Sequence, residues 1–271
     1  MTLPDTDKSL GQHWLNDADT LEAMVTGAGI GPEDTVLEIG PGPGTLTEYL
    51  VQAAKEVVAV EFDDALARGL RARVTTARGT APTNLTIIQQ DILRFNLETL
   101  PAGYKVAANI PYYLTSKLLQ QLCESANPFV QAALLVQKEV AERVCAASGQ
   151  MSILSVSVQL YCEASLGVLV PAELFTPPPK VDSQILILKR RSEPLFPDLD
   201  TKHFFRVVKA GFAQRRKTLL NSLSSGLHLD RTATEALLAE AGISPGARAQ
   251  TLSLEDWHTL AALTKSSPAR E

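Results

Sequence analysis

An alternation of short apolar runs with segments of helical periodicity restricts the fold of this chain more than any other feature. Residues 45–54, for example, carry apolar side chains at helical spacing between the first two runs. Strands this continuously apolar are typical of a parallel sheet that helices cover on both faces. We therefore predict a doubly wound α/β fold, with strands at residues 35–40, 57–62, 85–90, 105–109 and 131–137.

A stretch rich in proline and acidic residues, SEPLFPDLDT at 192–201, indicates a boundary after this sheet. The run QILILK at 184–189 precedes it and has the character of a late strand. Beyond the boundary, apolar residues recur at helical spacing in three segments, at 203–225, 231–242 and 253–265. The chain is thus predicted to form a large α/β domain over residues 1–192 and a small all-helical domain over 200–271.

Composition and residue spacing disfavour a membrane protein, a disulfide-rich protein and a metalloprotein. The 271 residues contain no apolar run as long as a membrane span, and no leader-type apolar segment follows the first residues, so we expect a cytoplasmic protein with no membrane partner. The three cysteines lack the spacing of a disulfide framework or a zinc site, and the four histidines include no i, i+4 pair. A protein-bound metal ion is therefore not expected.

Charge is distributed unevenly along the chain. The net charge is −5, which by itself disfavours a polyanionic partner. Residues 175–217, however, hold ten Lys or Arg and four Asp or Glu, so this segment carries +6 and the remainder −11. Such a segment is most often a solvated surface, but its contrast with an acidic remainder favours contact with nucleic-acid phosphates.

Glycines and acidic residues stand at the predicted strand ends, where ligands approach a doubly wound sheet. The first strand ends in EIGPGPG, whose Gly40 and Gly42 let backbone lie against a ligand. Glu61 ends the second strand, where a carboxylate can accept from the hydroxyls of a ribose. Asp91 follows the third strand and can accept from an exocyclic amine while Ile92 covers a purine. Each feature alone also fits a packing turn or a helix cap, but together they indicate a cofactor site.

The fourth strand ends in NIPYYLTS, residues 109–116. Pro111 has no N–H and pushes Ile110 toward extended backbone, so Asn109 emerges at a stiff turn. A turn of this kind can be structural or catalytic, and its position beside the other strand ends favours a catalytic one.

In combination these motifs resemble those of the rRNA adenine N6-dimethyltransferase family of class I methyltransferases. The similarity extends over about residues 8–260 and departs from the commoner GQNFL motif at His13 and Trp14. It implies a Rossmann-like class I sheet that binds S-adenosylmethionine (SAM). The matching segments are GQHWLND (11–17), LEIGPGPG (37–44), VAVEFD (58–63), IIQQDIL (87–93), NIPYYLTS (109–116), QKEVAERV (137–144), FTPPPKVDS (175–183) and FAQRRKTLLNSL (212–223). The implied SAM contacts are Gln12, His13, Leu15, Gly40, Gly42, Glu61, Phe62, Asp91, Ile92 and Asn109.

The same resemblance implies a chemical role for the NIPY turn. Adenine N6 is a weak nucleophile because its lone pair is delocalised into the ring, and the Asn109 side-chain oxygen and the Ile110 carbonyl would accept from its two protons and free that pair. Pro111 shapes the turn, and methyl transfer then needs positioning and electrostatic complementarity more than a strong base. Tyr112 is expected to stack on the flipped base, with Phe175 over its other face.

We expect the basic segment to bind RNA phosphates, through Lys180, Lys202, Arg206, Lys209, Arg215, Arg216 and Lys217. The predicted enzyme is a monomer that dimethylates two adjacent adenosines near the 3′ end of small-subunit rRNA, within an immature small ribosomal subunit. Three alternatives stay open: a large-subunit rRNA methyltransferase that confers antibiotic resistance, a DNA adenine N6-methyltransferase, and an assembly factor whose binding matters more than its catalysis. The intact turn disfavours the last, and the motifs FTPPPKVDS and FAQRRKTLLNSL disfavour the DNA enzyme.

Overall fold

A computed structural model of the chain describes residues 12–74, 79–214 and 216–266. The chain divides into two compact units, the first comprising Met1–Glu142 and Cys162–Arg190 and the second Arg143–Tyr161 and Arg191–Glu271. The boundary after Arg190 lies close to the one expected from sequence. The predicted 1–192 domain nevertheless differs from the first unit at 143–161, because Val156 and Leu160 are buried in the apolar core of the second unit.

The first unit holds all nine strands of the described residues. They are β1 (Trp14–Leu15), β2 (Thr35–Ile39), β3 (Glu56–Glu61), β4 (Leu85–Gln89), β5 (Lys105–Asn109), β6 (Gln131–Gln137), β7 (Cys162–Val170), β8 (Phe175–Thr176) and β9 (Ser183–Arg190). Its helices are α1 (Ala18–Gly27), α2 (Thr45–Ala53), α3 (Asp64–Arg73) and α4 (Thr115–Glu124), and α5 (Lys138–Val144) leads into the second unit.

Seven strands form the main sheet, in the order β4-β3-β2-β5-β6-β9-β7. The strands from β4 to β6 in this order pair in parallel, which confirms the α/β fold and the five predicted strands. At one edge of the sheet β9, the late strand expected at 184–189, runs antiparallel to both β6 and β7. Residues 171–182 join β7 to β9 with only a 3₁₀ turn and β8, and parallel neighbours need a longer crossover.

A second, two-stranded sheet ties the start of the described chain to a distant segment. In it β1 pairs with β8, so that Trp14 lies opposite Thr176 and Leu15 opposite Phe175. Leu15 and Phe175 are both buried in the main apolar core of this unit. The pairing therefore anchors the residues around His13 against residues 175–177.

The second unit is helical. It contains α6 (Ile153–Gln159), α7 (Thr201–Phe212), α8 (Leu219–Leu227), α9 (Arg231–Glu240) and α10 (Leu254–Ser266). Fully buried Phe204, Leu223 and Trp257 lie at its core. A Cβ on Gly211 would clash with the Trp257 ring, so the closeness of α7 to α10 depends on that glycine. In the described part of the chain, no helix is long and apolar enough to cross a membrane.

The single helix predicted over 203–225 is wrong, because α7 ends at Phe212 and α8 begins at Leu219. The backbone N–H of Leu219 donates to the carbonyl of Ala247 at 2.7 Å, and thus pairs with another part of the unit. Phe212 and Leu219 stand seven positions apart, which is also a helical spacing, so periodicity alone does not reveal this break.

Candidate active site

A cavity of about 440 Å³ lies where β2, β3, β4 and β5 end, a size typical of small-molecule sites. The structure brings together at this cavity every residue predicted to bind the cofactor and four of the five predicted for catalysis. These are Gln12, His13, Leu15, Gly40, Gly42, Glu61, Phe62, Asp91, Ile92, Asn109, Ile110, Pro111 and Tyr112.

The glycine turn after β2 adopts backbone that favours glycine. Gly40 and Gly42 have φ of 64° and 56°, in the left-handed region. A Cβ on Gly42 would lie 2.7 Å from the Trp14 ring, so the turn also has no room for a side chain there. The Arg73 guanidinium on α3 also holds the turn, because it donates to the carbonyls of Pro43 at 3.2 Å and Gly42 at 3.3 Å.

Glu61, the last residue of β3, holds the same turn through its side-chain carboxylate. Its Oε2 accepts from the Gly42 N–H and its Oε1 from the Asp63 N–H, both at 2.9 Å. Burial raises the pKa of Glu61, and these backbone N–H groups oppose that shift. A carboxylate offers about four acceptor positions, so two remain for groups in the cavity.

Asp91 and its neighbours form a third wall of the cavity. The Asp91 carboxylate accepts from the Leu93 N–H at 2.9 Å and so caps the short turn Ile92–Arg94. Ile92 is buried against the cavity, whereas the ring of Phe62, which also lines it, is 58% exposed. An apolar side chain and an exposed aromatic ring thus accompany a carboxylate at this wall.

The orientation of the Asn109 amide is set by the N-terminal segment. Its Nδ2 donates to the His13 backbone carbonyl at 3.2 Å. Because a carbonyl only accepts, the amide nitrogen must face His13, and Oδ1 therefore points away from it. The next residue is also held, since the Ile110 N–H donates to the Leu135 carbonyl at 3.1 Å.

Tyr112 is held by two neighbours. Its hydroxyl lies 2.9 Å from the Ser183 hydroxyl, and burial raises its pKa. One side of its ring stacks with the His13 imidazole, at a centroid distance of 5.9 Å and an interplanar angle of 24°. Nδ1 of His13 lies 2.7 Å from the Pro177 carbonyl, so Nδ1 carries the proton.

Phe175 is the one predicted catalytic residue that the structure does not place at the cavity. Its side chain is 3% exposed and packs in the apolar core, because the pairing of β8 with β1 turns it inward beside Leu15. Tyr113 is not among the predicted site residues, but it lines the cavity and is 62% exposed. The doubled tyrosine of NIPYY was the available signal.

Glu38 was also missed, although a lone acid inside the apolar run TVLEI marks it. It lines the cavity, is 1% exposed, and has no hydrogen-bond partner for either carboxyl oxygen among the described residues. Burial, followed by the nearby Glu61 charge, raises its pKa to about 8 against an opposing effect of the Thr47 hydroxyl. That hydroxyl lies close to the carboxyl without forming a hydrogen bond with it.

Acidic side chains line the cavity. Glu38, Glu61 and Asp91 face it, and the described residues that line it include no Lys or Arg. In a largely apolar enclosure this arrangement favours a cationic ligand.

The residues predicted to bind RNA lie in both units. Lys180 is exposed in the first unit, and Lys202, Arg206 and Lys209 form one exposed face of α7 in the second. Arg206 donates to Nδ1 of His203 at 3.0 Å, while the opposite face of α7 is buried. Arg216 and Lys217 are also exposed, and Arg215 lies outside the described residues.

Comparison with known proteins gives a consistent result. A family model described as "Ribosomal RNA adenine dimethylase" matches residues 5–266. A "Ribosomal RNA small subunit methyltransferase A" of Dehalococcoides mccartyi is 41% identical over 268 residues, which cover 96% of this chain and 89% of that protein. A dimethyladenosine transferase from Plasmodium falciparum superposes with a TM-score of 0.75 at 26% identity, covering 91% of this chain and 95% of that one. The 23S rRNA methyltransferase ErmE gives 0.74 at 30% identity, covering 93% and 100%.

Proposed function

The chain belongs to the ribosomal RNA adenine dimethylase family, and we propose that it places two methyl groups on N6 of each of two adjacent adenosines near the 3′ end of small-subunit rRNA. It is a SAM-dependent rRNA adenine dimethyltransferase. The observation that carries the proposal is the Asn109 amide at the cavity, turned by His13 so that Oδ1 points away from the N-terminal segment. Similarity to a small-subunit enzyme, at 41% identity, supports the choice of rRNA.

The residues present fit SAM. Its sulfonium and ammonium groups are cations, and the cavity offers acids without a described Lys or Arg. Gly40, where a side chain would meet nothing within 4 Å, leaves room for a ligand against the backbone, and the volume suits a nucleoside with a short side chain. When bound, SAM supplies a methyl group activated by the sulfonium charge.

We assign the contacts to SAM by the chemistry of each wall. The two unused acceptor positions of Glu61 suit the ribose hydroxyls. Asp91 suits the exocyclic amine of the adenine, with Ile92 and Phe62 on the faces of the ring. The remaining contacts fall to the segment Gln12–Leu15, which lines the cavity above Gly42.

Asn109 and Ile110 act on the target base. The Oδ1 atom of Asn109 accepts from one N6 proton and the Ile110 carbonyl from the other, which localises the lone pair on N6. Methylation makes this nitrogen positively charged, and it then loses a proton to solvent without the need for a strong base. One acceptor remains for the single proton of a monomethylated N6, so the turn can act a second time.

Aromatic rings hold the flipped base. Tyr112 has one side of its ring against His13, and its other side is the proposed stacking surface. Because Phe175 is buried in the core, we assign the second aromatic contact to Tyr113, whose ring is exposed at the same cavity.

Phosphate contacts fall to the exposed basic face of α7, together with Lys180, Arg216 and Lys217. The acidic remainder of the chain disfavours non-specific binding to RNA, which supports an immature small subunit as the substrate. Like charges on two copies of the chain also repel each other, which supports a monomeric enzyme. The cytoplasmic location follows from that substrate and stays a prediction. A large-subunit substrate is less well supported, because identity to ErmE is 30% and identity to the small-subunit enzyme 41%.

Mass spectrometry of rRNA tests the proposal. Immature small subunits from cells that lack the modification would be incubated with SAM and the enzyme, and the 3′-terminal fragment of the rRNA analysed. We expect four added methyl groups, two on each of two neighbouring adenosines. Methylation confined to large-subunit rRNA or DNA, or a final product with one methyl per adenosine, would reject it.

A further inference from the structure

Glu38 is a buried carboxyl group at the cofactor cavity that finds no hydrogen-bond partner in the described part of the chain. The other buried acid there, Glu61, accepts two backbone N–H bonds, whereas among the described residues Glu38 accepts none. Unpaired polar groups at this depth are rare in folded proteins, and an unpaired buried charge is more costly still. The carboxyl group must therefore be neutral or await a ligand.

The surroundings of Glu38 contain no cation, among the described residues, that could balance its charge. In the sheet its neighbours are Ala59 on β3 and Ala107 on β5, and from α2 the uncharged Thr47 approaches. The charged group that acts on it is Glu61, which disfavours a second negative charge. With its pKa near 8, Glu38 holds its proton at neutral pH when the cavity contains no ligand.

We propose that Glu38 is a proton-coupled sensor of cofactor charge, which keeps its proton in the ligand-free enzyme and releases it to solvent when a cationic cofactor enters the cavity. The inference rests on the proposed use of SAM. A cation within a few ångströms in a low-dielectric site favours the carboxylate over the acid, because the attraction offsets the cost of burying the charge.

The sensor distinguishes the cofactor from its product. SAM carries a sulfonium charge, and S-adenosylhomocysteine (SAH), left after methyl transfer, has a neutral sulfur. Transfer thus removes one of the two cationic groups that stabilise the Glu38 carboxylate, and with only the ammonium group left the carboxylate more readily takes up a proton again. The ionised form of Glu38 therefore favours SAM over SAH.

Calorimetry can count the proton directly. SAM and SAH would each be titrated into the enzyme at pH 7 in phosphate and in Tris, whose heats of ionisation differ, so that the difference in binding heat gives the protons released. We expect close to one proton for SAM and a clearly smaller number for SAH. In Glu38→Gln the SAM value should fall toward zero. Glu48→Gln is a matched control, since it removes an acid from α2 that does not line the cavity.

The outcomes separate this inference from the proposed function. Failure of SAM to bind the wild-type enzyme would reject the proposed function. Binding with equal proton release in the wild type and Glu38→Gln would assign the proton to another group and overturn the sensor, and so would equal release for SAM and SAH. If Glu38→Gln does not fold, infrared spectroscopy of the wild type decides, since the band of a protonated buried carboxyl should disappear when SAM is added. A band that persists would overturn the inference.

Discussion

Asn109 and His13 are joined by a hydrogen bond of 3.2 Å between residues 96 positions apart, from the Asn109 amide nitrogen to the His13 backbone carbonyl. The bond uses the only donor group of the Asn109 side chain and none of its acceptor. A main-chain atom therefore decides which end of the amide is left for the proposed contact with the target base, whatever side chain occupies position 13. This explains how the NIPY turn can tolerate a histidine where the commoner motif has asparagine.

Asn109→Ala should lose most methyl transfer while it keeps most of its SAM affinity. The change removes the acceptor for N6 and the bond to His13, and the absence of one preorganised electrostatic partner lowers turnover by about 100-fold or more. Single-turnover methylation with labelled SAM measures the rate, and calorimetry measures the affinity. Asn109→Asp is the informative companion, because it keeps an acceptor but cannot donate to His13. Turnover near the wild-type level in Asn109→Ala would contradict the assigned role.

Glu61→Gln should weaken SAM binding. An amide has one oxygen, so its nitrogen must face either the Gly42 or the Asp63 N–H, which loosens the glycine turn as well as the ribose contact. Hydrogen bonds to charged groups are worth about 1.5–3 kcal/mol, which predicts a loss of affinity of about 10- to 100-fold. Asp63→Asn is the control, since it neutralises a neighbouring acid that does not line the cavity. Equal effects of the two substitutions would argue against a specific role for Glu61.

Replacing Lys202 and Lys209 with alanine should weaken RNA binding and make it less sensitive to salt. For each phosphate that the protein no longer neutralises, the slope of log affinity against log salt should become shallower by about 0.7 to 0.9. Filter binding at several salt concentrations gives the slope. Arg231→Ala serves for comparison, because Arg231 is exposed in the same unit and already paired with Glu235. An unchanged slope in the double variant would mean that this face of α7 is only a solvated surface.

Ligand-free Glu38→Gln should gain stability over the wild type as pH rises. The pKa of Glu38 is raised to about 8 in the folded protein from an ordinary value of 4.5, so between these values the folded state holds a proton that the unfolded state has lost. The free energy of unfolding of the wild type must then fall with pH across this window, by at most about 1.4 kcal/mol per pH unit. The glutamine has no such dependence. Urea denaturation at about pH 5, 6, 7 and 8 measures the difference, and parallel curves for the two proteins would be inconsistent with a buried neutral Glu38.

The cavity could be predicted from sequence because its walls are local motifs at the ends of neighbouring strands. Parallel strands end at the same edge of a sheet, so Gly40, Glu61, Asp91 and Asn109 had to meet once the β/α alternation was recognised. The same argument explains why the five parallel strands were found at close to their observed bounds.

Features that depend on pairing between distant segments could not be predicted. Phe175 has an exposed or a buried ring according to whether β8 pairs with β1, and its motif carries no sign of that choice. The break between α7 and α8 is fixed by the bond from Leu219 to Ala247, not by a change of periodicity. The state of Glu38 depends on what surrounds it in three dimensions, since a glutamate in a strand is equally compatible with a solvated edge.

The short ladder between β1 and β8 also sets a time order for the protein during its synthesis. His13 leaves the ribosome early, and Pro177, whose carbonyl holds its ring, follows 164 residues later. The glycine turn, Glu61, Asp91 and Asn109 are all translated in between, before the segment that covers Gly42 has an anchor. A nascent chain therefore carries every residue that lines the cavity long before β1 has its partner strand, and we expect it to hold its cofactor only after β8 has emerged.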